Sequence, residues 1–114
     1  MQPNFKLEEL NKMVKILCAA IHIKDGKEHL HQPKNIETAF VVCGRRHHNC
    51  FYTLSIMGNP EYKNMVGREG QGFLTSDNNF VSRKEAYLIA KEAGQLLHNL
   101  HDMSNPILIS EDVW

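Results

Sequence analysis

A chain of 114 residues is long enough for one hydrophobic core and too short for two, so a single domain spanning residues 1–114 is expected. Hydrophobic residues make up 42% of it and charged residues 23%, a globular composition that excludes the polar, charge-rich pattern of disorder. The 13 basic and 13 acidic residues cancel, which leaves no overall field to draw the chain to nucleic acid or an anionic membrane, so any anion site must be local.

No apolar run approaches the ~20 residues that a membrane-spanning helix requires, and the opening MQPNFKLEEL has acids where a secretion signal has an apolar stretch. A cytoplasmic protein with reduced thiols is the expectation. Leu7, Leu10, Met13 and Val14 stand at helical spacing within Asn4–Lys15, and the run ILCAAIHI (16–23) either continues that helix or forms a strand. Its β-branched content and the Asp25-Gly26 turn favour the strand. A polar loop follows, and TAFVVC (38–43) is the clearest strand in the chain. Gly44 breaks it. His47, Cys50, Phe51 and Leu54 then mark one face of a short helix that Gly58-Asn59-Pro60 ends.

The region holding Gly67, Gly70 and Gly72 reads as flexible, and GFLTSDNNFV (72–81) as a small hairpin turning at Ser76-Asp77-Asn78-Asn79. Ser82 and Glu85 make a capping box that starts a last helix with Ala86, Ile89, Ala90, Ala93, Leu97 and Leu100 inward. The fold class is therefore α+β, a small antiparallel sheet packed on two or three helices. The tail ILISEDVW is too apolar to stay in water. Either it or residues 1–5 flex or pack on a neighbouring subunit, and a homo-oligomer is expected on that ground.

Two segments carry candidate chemistry. In Gly44-Arg45-Arg46-His47-His48, a strand ends in a glycine turn and a helix begins, so unpaired amides and two arginines can meet a phosphate or carboxylate; solvated surface charge is the plainer explanation. In residues 68–83, Phe73 and Phe80 stand among Thr75, Asn79 and Arg83, a set able to stack on a planar ring and read its edge; hairpin core and turn chemistry explain the same residues without a ligand. Scattered histidines and cysteines lack metal-ligand spacing, so neither metal nor cofactor is expected. His47 or His48 with Cys50 could serve catalysis, although Cys50 shares a face with Phe51 and Leu54, the pattern of a buried inert thiol.

GRRHHNCF followed by QGFLTSDNNFVSRKEAYLIAKEAGQ resembles a group of small phage and prophage proteins with the pattern G-[KR]-R-H, then Q-G-F-[LV]-T-S, R-F-V-x-R-x-E-A and A-G-Q. The likeness runs from Gly44 to Gln95. Asn79 stands where that pattern has arginine and Ser82 where it has aspartate. The resemblance implies a phage origin, with the host cytoplasm as location, and an accessory role such as evasion of host defence by hiding a nucleotide-derived signal. Three functions follow as expectations. The first is capture of a small anionic, nucleotide-like ligand by Arg45, Arg46, His47, His48, Phe73, Thr75, Asn79, Phe80 and Arg83. The second is an enzyme using His47, His48 and Cys50, and the third a protein-interaction inhibitor of a host factor.

Overall fold

The computed structural model describes residues 14–97 and 107–114. The helix expected over Asn4–Lys15 lies outside them apart from Val14 and Lys15, which are not helical. Four strands, β1 (Ile16–Ile23), β2 (Phe40–Gly44), β3 (Val66–Thr75) and β4 (Phe80–Ser82), form one antiparallel sheet in the order β2-β1-β3-β4. Two helices, α1 (His47–Ser55) and α2 (Arg83–Glu92), cover one face. This is the expected α+β fold.

ILCAAIHI is a strand because its period is two. Ala19, Ile21 and Ile23 face the helices with Phe73, Val42 and Phe40 beside them, and all are buried. Ala20 and His22 face the other way. Ala20 is nonetheless fully buried, because the β1–β2 connection crosses that second face. Gln32 Oε1 accepts the Val41 amide at 2.9 Å on one edge strand, and the Asn35 side chain exchanges two hydrogen bonds of 2.7 and 2.8 Å with the Phe80 main chain on the other.

The glycine-rich segment is not loose. It belongs to β3, where Ile21 pairs with Gln71 but Ile23 pairs with Val66, so residues 67–70 bulge from the ladder. Sequence reading found the end of this strand as the first arm of the 72–81 hairpin but missed its extension back to Val66, because glycines carry no side chain to display an alternation.

Ser82 Oγ accepts the Glu85 amide at 3.2 Å, as the capping box requires, and Ala86 and Ala90 reach zero exposure. Tyr87 is also buried, while Leu97 is 59% exposed. The helix stops before it. Gly94 has φ +69°, its amide bonds the Lys91 carbonyl at 3.2 Å and the Gln95 amide bonds that of Ala90 at 2.9 Å, a Schellman stop that only a residue at ease with positive φ completes. Leu100 lies outside the described residues. Gln95 then clamps β1, its amide group bonding both the N–H and the carbonyl of Ile16 at 2.8 and 2.9 Å.

The tail covers the protein's own core. Leu108 is fully buried and Val113 nearly so, and the segment is tied down by Leu108 N–H to Arg83 O (2.9 Å) and Leu97 N–H to Asp112 O (2.7 Å). Leu108 and Val113 are thus buried without a second copy, while Ile109 stays exposed. Leu108→Ala, which empties a fully enclosed site, should cost about 2–5 kcal/mol in chemical denaturation.

Candidate functional site

The strand-to-helix corner lies at the centre of the candidate site. Arg46 is the N-cap of α1; its amide bonds Asn49 Oδ1 at 3.0 Å and its carbonyl accepts the Asn49 and Cys50 amides. The half-buried Arg46 guanidinium donates through Nη1 to Glu111 Oε1 at 3.2 Å and through Nη2 to the Trp114 main-chain oxygen at 2.8 Å. The anion at this corner is therefore supplied by the tail. Glu111 also accepts the Ser110 hydroxyl at 2.8 Å, and that bond, followed by Arg46, holds its carboxyl below the usual range.

His47 sits beside Arg46. Its Nε2 lies 2.7 Å from the Gly72 carbonyl, and its ring meets Phe73 edge-on with centroids 5.1 Å apart. A carbonyl only accepts, so Nε2 carries the proton and Nδ1 is left as the acceptor of the neutral ring. Burial pushes the His47 pKa below its ordinary value and the Arg83 charge pushes the same way, opposed by the Gly72 bond and by Glu111. Arg83, first residue of α2, thus shares the corner, and its guanidinium has no acid partner among the described residues.

The titration of His47 has a definite sign. The unfolded ring binds a proton near pH 6.5 and the folded ring resists it, so this contribution to stability is complete above 6.5 and is lost as the pH falls from there through the folded value. His22, lowered by burial and by Lys24, acts in the same window. The melting temperature should therefore drop between pH 7 and 5, and His47→Gln, which keeps a donor for Gly72, should flatten that drop. An unchanged profile in the variant would exclude His47 as its source.

Of the residues expected to share a ligand, the fold brings together Arg46, His47 and Phe73, with Arg83 close enough for its charge to act on His47. Arg45 and His48 are exposed beside them. The rest are elsewhere, and the strand period is the reason. Phe73 pairs with Val81 on the helix face, so its hairpin neighbour Phe80 points through the sheet and packs on His22 at 5.2 Å. Phe73 itself has no exposed surface. Thr75 and Asn79 are spent on the turn: Thr75 Oγ1 bonds Asp77 and accepts the Asn79 amide, and Asn79 Nδ2 reaches Asp77.

Arg46, expected to serve an outside anion, anchors the tail. Losing its bond to a main-chain oxygen should cost Arg46→Ala about 1 kcal/mol and speed hydrogen exchange across residues 111–114. Exchange as slow as in the parent would refute the anchoring. Sequence reading missed Glu111 and Trp114 as partners of the corner; an acid and an aromatic inside an apolar tail were the available signal.

Cys50 is buried, its thiol within 3.6 Å of the Ala19 carbonyl and 3.4 Å of the Arg46 carbonyl, and burial pushes its pKa up to about 11. An inert thiol results. Among the described residues, no three His, Cys, Asp or Glu are placed to hold a metal ion, and no helix is long and apolar enough to cross a membrane. Two hollows of about 360 and 410 Å³, one beside Phe51 and Leu54 and one beside His22 and Asn35, share no residue with the corner.

A family model described as the phage T4 y16D protein matches residues 15–114, a span that holds every strand, both helices and the tail. The chain belongs to the phage T4 y16D family. The phage origin expected from GRRHHNCF and the hairpin segment is thus established at the level of this family, and the corner of Arg46, His47, Arg83 and Glu111 lies wholly inside the matched y16D region. Neither the curated proteins nor the solved structures offer a significant match.

Proposed function

We propose that this phage accessory protein binds a small anionic ligand, nucleotide-derived in the first instance, at Arg46, His47 and Arg83 and holds it without altering it. The observation that carries this reading is the Arg46 guanidinium at the start of α1 bonded to a carboxylate of the protein's own tail, with the His47 ring beside it feeling both that carboxylate and the Arg83 charge from the start of α2. That carboxylate is replaceable. The Glu111 side chain is 61% exposed, and an exposed carboxylate facing one arginine is held weakly. A phosphate can draw bidentate bonds from both arginines at once.

Phe73 is buried and Phe80 lies behind the sheet, so Trp114, half-exposed with its ring 6.2 Å from Phe73, is the ring left to stack on a base. Binding is favoured over catalysis because the Cys50 thiol is enclosed and the His47 Nε2 proton is committed to Gly72. A thermal-shift series with inorganic phosphate, cyclic dinucleotides and ADP-ribose tests the reading. A bound probe at a hundred times its Kd adds about 2.7 kcal/mol of stability, and mass spectrometry should recover it intact. An altered probe would indicate an enzyme, and a shift of equal size in the Arg46→Ala/Arg83→Ala double variant would remove the site.

A further inference from the structure

Two of the three thiols sit on the sheet face away from the helices. Ala20 pairs with Cys43 across β1 and β2, and Cys18 lies two residues along β1 from Ala20 on that same face. The two cysteines are therefore diagonal neighbours on adjacent antiparallel strands, close enough for each thiol to shift the other's ionisation. Cys43 is exposed and Cys18 half-exposed. We propose that Cys18 and Cys43 form a thiol–disulfide exchange site that reacts with a low-molecular-weight disulfide, of which oxidised glutathione is the type, and closes to an internal Cys18–Cys43 disulfide.

The two thiols have unequal roles. The neighbouring Cys18 thiol lowers the Cys43 pKa to about 7 against the partial burial that would raise it, while Cys18 is pushed up by the same neighbour and by burial. Cys43, more accessible and more often ionised, attacks. Its thiolate forms a bond to one sulfur of oxidised glutathione, the glutathione S–S bond breaks, and one glutathione thiolate leaves and takes a proton from water. Cys18 then gives its proton to solvent and attacks the Cys43 sulfur, and the second glutathione departs. The protein dithiol loses two electrons and two protons, and one glutathione disulfide becomes two thiols.

Closure asks for a small backbone movement, because diagonal neighbours on antiparallel strands have Cα atoms about 7–8 Å apart. A disulfide needs Cα atoms within about 7 Å; β2 is an edge strand that ends at Gly44, one residue past Cys43, and the β1–β3 register shifts between Ile16 and Cys18, so each strand has local slack. Cys50, on the opposite face and enclosed, provides an internal control.

The test incubates the folded chain in glutathione buffers of graded poise and maps its peptides without reduction. The expected product is lighter by two hydrogens and contains a linked Cys18–Cys43 peptide pair, with Cys50 still reduced. Cys18→Ala should stop at the mixed disulfide on Cys43. Its Cys43 should also react with iodoacetamide at pH 7 slower by roughly an order of magnitude, since the thiolate fraction falls when the neighbouring thiol is gone. Failure of the linked peptide to form while the fold persists, modification of Cys50 as fast as Cys43, or an unchanged Cys43 alkylation rate in Cys18→Ala would each overturn the assignment.

Discussion

Ala90→Glu should prevent folding. Ala90 has no exposed surface and lies on the face of α2 packed against the sheet, within a cluster of Ile, Phe, Val, Ala and Leu side chains. A glutamate there must either carry an unpaired charge into that cluster or push the helix off the sheet. An uncompensated buried charge costs about 3–5 kcal/mol, of the same order as the entire stability of a domain this size. Circular dichroism should show no cooperative melt, whereas Ala90→Ser, small and able to bond its own helix, should melt cooperatively. A stable Ala90→Glu protein would mean that α2 packs by another face.

Gly72→Ala should be nearly as damaging, although it adds a single methyl group. A Cβ at this position would stand 2.1 Å from the Val81 carbonyl oxygen and 2.8 Å from the Phe80 ring. The carbonyl belongs to the paired strand and cannot swing aside, so β4 must separate from β3. The cost should reach about 3 kcal/mol or more, a fall in Tm on the order of 15–20 °C for a domain of this length. The displacement also moves the carbonyl that accepts from His47, so the His47 imidazole resonances should shift by NMR. A Tm within a few degrees of the parent would contradict the close approach of the two strands.

Much of the fold was legible because local signals agreed with one another. The β-branched run at 16–23 with its Asp25-Gly26 turn, the Gly44 break, the Asn-rich turn and the Ser82/Glu85 box each announce an element that the chain forms. Long-range geometry was not legible. β3 begins at Val66 because residues 67–70 bulge, a feature of register with no local signature. The end of α2 at Glu92 turns on Gly94, which reads equally as a tolerated interior glycine.

The candidate site divides along the same line. Gly44 to His48 was singled out because strand, glycine and helix follow one another in sequence, and Arg46 and His47 do open the helix there, with the Arg83 charge in reach of the His47 ring. The pairing of Phe73 with Phe80 failed because neighbours across a hairpin share a face only in the right register, and here Phe73 is opposite Val81. Glu111, 65 residues beyond Arg46, could be brought to the corner only by knowing where the tail packs.

In the proposed binding mode, the Glu111 carboxylate holds a place meant for an outside anion. Isothermal titration with inorganic phosphate of the parent chain and of Glu111→Gln tests it most directly. Removing the internal competitor should tighten phosphate binding by roughly 3- to 10-fold, and Arg46→Ala/Arg83→Ala should abolish it. Equal phosphate affinity in the parent and Glu111→Gln, or undiminished binding without the two arginines, would contradict the account.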